Sequence, residues 1–221
     1  MNCFTHALPS LDNAYVATGC CIPDWLGAAD RKCRVREKRT VPFLEHDDPE
    51  VAAIARGIVN HHRDDHWFHT NLTFQKLNMQ FAVEIRDLAG EVRGMRTGFF
   101  AHVLIELFID AWLQERFPGK LELYYDLLAT IDPEKVQETV NLIAAKPTEK
   151  LAPAIRGVIK ERYLFDYVDD AKTLYRINRV LKRIGLEEVD DAILPWIKEA
   201  RQRVYDHIPE LLNQYAIELK E

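Results

Sequence analysis

Glycine and proline are sparse, 9 and 10 in 221 residues, and there is no internal repeat or low-complexity segment. Collagen-like, mucin-like and disordered classes are thereby excluded. No run approaches the roughly 18 uninterrupted apolar residues of a membrane span. The best candidate, Phe99 to Leu113, is interrupted by His102, Glu106 and Asp110. The opening Met1-Asn2-Cys3-Phe4-Thr5-His6 lacks the basic stretch and apolar core of a secretory signal, so a cytoplasmic location is expected. A basic excess is also missing. Against 35 acidic side chains stand 29 Lys and Arg, a net charge of −6, and neither nucleic acid nor a membrane is the expected partner. The four cysteines, Cys3, Cys20, Cys21 and Cys33, contain no C-x-x-C pair, which removes the zinc-knuckle and thioredoxin patterns and leaves reduced, mostly buried thiols.

Alternating strand patterns are absent as well, whereas apolar residues recur at helical spacing almost throughout. The chain therefore reads as all-α, a single helical domain over residues 1–221. A first helical region is expected from Leu11 to Ala29, bent or restarted near Pro23, followed by a basic, irregular connection from Arg31 to His46. Asp48 before Pro49 supplies an N-cap and a proline at the first helical position of a long helix that runs towards Leu88 and ends at Gly90, with a break near Asn71-Leu72-Thr73. Further helices are expected at Thr97 to Phe117, Lys120 to Ile131, Pro133 to Ala145, Thr148 to Arg162, Asp166 to Ile184 and Glu188 to Leu219.

What is plentiful is histidine beside carboxylates. In His61-His62-Arg63-Asp64-Asp65-His66-Trp67-Phe68-His69, the residues His61, Asp65 and His69 fall about 40° apart on a helix and form one polar stripe. Imidazole and carboxylate at i, i+4 spacing can ligate one divalent Zn, Mn or Fe ion. His62 and His66 form a second pair, rotated by about 100°, that faces another way. Taken alone, the cluster reads equally as a solvated helix face. A second helix carries His102, Glu106 and Asp110 at i, i+4 and i+8 among almost wholly apolar neighbours. Such a helix is buried, and its ionisable groups must be paired or bound to metal. Two weaker candidates lie early in the chain, His6 in an apolar stretch and Asp24 after Pro23.

These stretches, in their order and spacing, resemble the acyl-carrier-protein phosphodiesterase family, all-helical metal-dependent hydrolases related to the HD-domain phosphohydrolases. The family's opening N-F-x-A-H is matched by Asn2, Phe4 shifted by one place, and His6. Its G-N-x-x-x-D-F is similar to Gly19-Cys20-Cys21-Ile22-Pro23-Asp24-Trp25, and its G-I-x-x-H-x-x-x-D to the segment from Gly57-Ile58 to His61 and Asp65. The last match selects His61 and Asp65 over His62 and Asp64. The family's Asp-His doublet falls on Ala101-His102, and weaker similarity around Tyr167 to Arg183 and Arg203 to Leu212 extends the resemblance over nearly the whole chain. Four positions depart from the pattern: Cys20 stands for Asn, Phe68-His69 for Thr-Asp, and Ala101 for the Asp of the doublet. His69, Glu106 and Asp110 are available to substitute for that lost carboxylate.

The resemblance implies an HD-like helical domain, cytoplasmic and acting in lipid metabolism, that hydrolyses the phosphodiester joining phosphopantetheine to a serine of acyl carrier protein. It implies a divalent ion (Mn, Fe or Zn) held by His6, Asp24, His61, Asp65 and His102, with Asp24 and Asp65 in the chemistry and Arg63 available to bind phosphate. The segment Arg31 to Arg39 carries six basic residues and one acidic, a patch that would attract an acidic carrier protein. A solvated basic loop accounts for it equally well. Two other readings compete: a phosphohydrolase of a nucleotide or other small phosphoester, and a non-catalytic helical protein whose His and carboxylate residues form a buried network, which the Ala101 departure favours.

Overall fold

A computed structural model describes residues 1–89 and 96–214, and among these the regular structure is entirely helical. In chain order the α-helices are α1 (Cys3–Ala7), α2 (Ala14–Ala29), α3 (Glu37–Thr40), α4 (Pro49–Thr70), α5 (Leu72–Ala89), α6 (Thr97–Arg116), α7 (Lys120–Leu128), α8 (Pro133–Ile143), α9 (Leu151–Glu161), α10 (Asp170–Arg183), α11 (Leu194–Asp206) and α12 (Ile208–Leu211). The all-α expectation holds, and most helices lie within a few residues of where periodicity puts them.

The differences have local causes. The helix expected from Leu11 is α2, which begins only after Asn13 accepts hydrogen bonds from the backbone N–H groups of Tyr15 and Val16, and α1 and a 3-10 turn at Leu8–Ser10 precede it where the periodicity predicts no helix. Pro23 lies inside α2 and does not divide it. The long helix is interrupted where expected. Asn71 leaves the helical path and its Oδ1 caps α5, accepting from Thr73 N at 2.8 Å and Phe74 N at 3.2 Å. At the start of α4, Asp48 Oδ1 accepts from Glu50 N at 2.9 Å, the cap anticipated from Asp48-Pro49. The basic connection contains one short helix, α3, and a 3-10 turn at Val41–Phe43. The helix expected from Glu188 to Leu219 is instead a 3-10 turn at Asp191–Ile193 followed by α11 and α12, since Pro195 and Pro209 each open a new helix by lacking the N–H needed to continue one. The helix end placed at Gly90 and the stretch beyond Gln214 lie outside the described residues.

By its contacts the chain divides into two compact units, Met1–His66 with Phe117–Tyr163, and Trp67–Arg116 with Leu164–Glu221. The division falls within α4, and the even composition of the sequence gives no sign of it.

In the first unit α2 packs against α1, α7 and α9, and α8 packs on α9. Ile22, Leu26, Tyr124, Val140 and Ile155 are among its buried residues, and all four cysteines are buried with none in a disulfide. Here α2 also meets α4 at unusually short range. A Cβ on Gly57 would lie 2.2 Å from the Val16 carbonyl oxygen, and one on Gly19 would lie 2.4 Å from that of Ile54. Only residues without a Cβ permit that crossing.

In the second unit α6 is the buried centre, with Phe100, Leu104, Ile105, Phe108, Ile109 and Leu113 almost fully covered by α5, α10 and α11. Trp196 stacks edge-on against Phe81, with ring centroids 5.4 Å apart, and the guanidinium groups of Arg203 and Arg201 lie 4.6 Å from the ring centres of Phe81 and Phe108. No helix among the described residues is long and apolar enough to cross a membrane.

Candidate metal centre

The Gly19–Gly57 crossing sets the first site. With the two backbones in contact, His61, one turn beyond Gly57 on α4, is carried against the backbone of α2. Its Nδ1–H donates to the Cys20 carbonyl at 2.8 Å in a fully buried contact. A carbonyl only accepts, so this bond fixes the proton on Nδ1 and turns Nε2 towards a cluster of carboxylates. Asp65 Oδ2, one turn further on, is 3.3 Å from that Nε2, and Asp24 Oδ1 is 4.0 Å from it.

From α1, His6 reaches the same point. Its Nε2–H donates to Asp65 Oδ1 at 3.1 Å, and its ring lies 4.1 Å from that of His61, centre to centre. The three side chains His6, His61 and Asp65 each present a ligand atom within 4.8 Å of the others, a group able to hold a metal ion. Asp24 stands at its rim, more than a third exposed, with Oδ2 3.8 Å from the Cys3 thiol.

The carboxylates and the basic groups of the cluster shift one another strongly. Burial opposes charge on His6, as does the nearby terminal amino group, but the adjacent Asp64 and Asp65 carboxylates outweigh both and raise its pKa to about 9. Asp65 is driven the other way. Burial would raise its pKa, yet contacts with His6, His61 and the Met1 amino group hold it far below the usual carboxylate range. The Met1 amino group donates to Asp65 Oδ1 at 2.6 Å.

A second group occurs in the other unit. His69, in the last turn of α4, and His102 of α6 both direct Nε2 at one oxygen, Glu106 Oε1, at 3.2 and 3.0 Å. These three likewise offer ligand atoms within 4.8 Å of one another. Burial pushes the Glu106 carboxyl up, while the hydrogen bonds from His102 and His69 are among the contacts that hold it well below its ordinary value.

The five residues singled out as ligands by resemblance are thus distributed as follows. His6, Asp24, His61 and Asp65 meet in the first unit, whereas His102 belongs with His69 and Glu106 in the second. Asp110, one turn beyond Glu106, is 2 % exposed and lies outside the triad. Arg63 is largely exposed, with Nε 3.6 Å from Asp64 Oδ1. His62 donates to the Val35 carbonyl at 2.7 Å, tying α4 to the basic segment, and His66 is exposed. In that segment Cys33 and Val35 are buried while Arg31, Lys32, Arg34, Arg36, Lys38 and Arg39 are exposed.

Four contributors were not visible as such in the sequence. Asp64 is buried, with Oδ2 3.7 Å from His6 Nδ1 on the face of that ring away from Asp65. Cys20 acts through its backbone carbonyl, which no side-chain pattern reports. Gly19 and Gly57 stood only as letters in a matched motif, although their spacing ahead of Asp24 and His61 marks where the helices cross.

Comparison of the chain with protein-family models, with curated proteins and with solved structures finds no match in any of the three.

Proposed function

We propose that the protein is a metal-dependent hydrolase of phosphodiesters, working at the site formed by His6, His61, Asp65 and Asp24. The observation that carries this reading is the convergence of two imidazoles and a carboxylate from α1 and α4, with His61 held in the tautomer that leaves Nε2 to a ligand. Histidine nitrogen with carboxylate oxygen is a donor set for Zn, Fe or Mn, and each imidazole meets a further group at its other nitrogen, Cys20 O for His61 and Asp64 for His6. A divalent ion there would supply Lewis acidity, activating water and stabilising negative charge on a phosphoryl oxygen.

The chain's own groups divide the remaining work. His6, His61 and Asp65 bind. Asp24, a little over a third exposed and 4.0 Å from His61 Nε2, is the group assigned to orient water and take its proton. Arg63 is assigned to the phosphate, its charge standing free of the core on the neighbouring face of α4. The resemblance of the His6, Gly19–Asp24 and Gly57–Asp65 stretches to the acyl-carrier-protein phosphodiesterases supports the phosphopantetheine–serine diester as substrate. The exposed basic segment 31–39, tied to α4 through His62, supports docking of an acidic carrier protein.

The test is hydrolysis by metal-loaded protein of holo-acyl carrier protein and, in parallel, of a nucleotide panel. Release of phosphopantetheine, lost in Asp24→Ala with helical content unchanged, is the expected result. Turnover of nucleotides alone would move the assignment to a small-phosphoester hydrolase. Undiminished activity in Asp24→Ala, or no metal binding and no thermal stabilisation by Mn, Fe or Zn, would remove the proposed site.

A further inference from the structure

The triad His69, His102 and Glu106 has no part in the chemistry above, yet it is built as a ligand set in its own right. We infer that it binds a divalent first-row transition-metal ion of its own.

The first argument is spacing. An ion with bonds of about 2.1 Å to N and O ligands needs those ligand atoms about 3.0–3.5 Å apart for octahedral or tetrahedral coordination. His102 Nε2 and His69 Nε2 lie 3.0 and 3.2 Å from Glu106 Oε1. Glu106 Oε1 therefore already stands at a coordination separation from each imidazole nitrogen, and the two nitrogens lie within 4.8 Å of each other. The second argument is how the rings are held. His102 and Glu106 are one turn apart on α6, so a single helix face presents both. Phe74, 3 % exposed, lies against both imidazoles, its ring centre 5.5 Å from that of His69 and 5.0 Å from that of His102, and Phe68, packed on Phe74 at 4.6 Å, lies 5.6 Å from His69. Aromatic walls fix the two rings without offering a competing polar partner. The third argument is access. His69 and His102 are about one third exposed and Glu106 only 14 %, so the carboxylate forms the floor while the imidazoles open to solvent.

The donor chemistry sets the class. Two imidazoles with one carboxylate suit Zn(II), Fe(II) or Co(II), whereas Mg and Ca prefer all-oxygen surroundings. This inference does not rest on the phosphoester reading, because its readout is bound metal and not turnover.

Co(II) titration of chelator-treated, full-length protein tests it, with binding counted by equilibrium dialysis and followed by visible d–d absorption. The expected result is one equivalent that persists in His61→Ala and is lost in His69→Ala, in His102→Ala and in Glu106→Gln. That loss should exceed the roughly 10–100-fold weakening typical of removing a group that only supports a ligand. Zn(II) should displace this equivalent and a large excess of Mg(II) should not. The His69 and His102 variants alter partly exposed positions, and circular dichroism with thermal melting checks that they fold. Unchanged Co(II) binding in both overturns the proposal. So does loss of all Co(II) binding in a folded His102→Ala protein, since the two groups would then act as one site, and so does ready displacement by Mg(II).

Discussion

His61 donates its Nδ1 proton to the carbonyl oxygen of Cys20 at 2.8 Å, and the side chain of Cys20 has no part in it. The contact links α4 to α2 through backbone on one side and imidazole on the other. The consequence is that the position next to a candidate ligand tolerates substitution while the ligand itself does not.

That asymmetry is testable with two variants. Cys20→Ala keeps the carbonyl and should bind Zn(II) or Co(II) at the first site within a few-fold of wild type, at a stability loss of about 1 kcal/mol for the buried thiol. His61→Ala should abolish binding at that site. Isothermal titration on both proteins decides the matter, and a large affinity loss in Cys20→Ala would show that the thiol, rather than the carbonyl, matters.

The crossing of α2 and α4 predicts a contrast between two glycines. At Gly57 a methyl group would sit 2.2 Å from the Val16 carbonyl and 2.7 Å from Cys20 N, atoms that cannot move without separating the helices. At Gly27, further along α2, the same methyl meets nothing within 4 Å. Gly57→Ala should therefore destabilise the protein by roughly 3 kcal/mol or more, beyond the usual cost of overpacking, and weaken metal binding by displacing His61. Gly27→Ala should stabilise it by about 0.5–1 kcal/mol, the helix-interior gain of alanine over glycine. Urea denaturation of the pair gives both signs, and a Gly57→Ala protein as stable as wild type would refute the close crossing.

How far the sequence reaches can be judged from the same residues. Periodicity found the helices because each has one apolar face, and the caps at Asp48 and Asn71 announced themselves because short polar side chains there satisfy N–H groups that a helix start leaves open. His61 and Asp65 were legible as a pair because both lie on one helix at i, i+4. The rest of the site depends on which helices meet. Nothing in the local pattern around His102 separates a partner in His6 from a partner in His69, because that choice is made by the packing of α6, whose apolar residues surround it on every side. For the same reason Asp64 was passed over for Asp65: adjacent residues on a helix point about 100° apart, and only the position of α1 makes both useful to His6.

The second unit carries an ion-pair cluster whose pH dependence can be stated with its sign. Glu84 of α5 accepts from Arg203 Nη1 at 2.8 Å and Nη2 at 2.5 Å and from Trp196 Nε1 at 2.7 Å, both partners on α11. The bidentate Arg203 contact, with Trp196 and Gln80 adding to it, lowers the Glu84 pKa to about 2 from an ordinary 4.5. A carboxyl depressed in the folded state contributes stability that is complete above its unfolded value and is lost as pH falls through the folded one. The contribution is thus full above about pH 4.5 and disappears between there and about pH 2. Because both partners are nearly one third exposed, solvent screening limits it to the order of 1 kcal/mol. Glu84→Gln should cost about that much at pH 6 and much less at pH 2.5, where the wild-type carboxyl is itself losing its charge. Guanidinium denaturation of both proteins at the two pH values measures the difference, and an equal gap at pH 6 and pH 2.5 would assign the loss to packing against Trp196 in place of the ion pair.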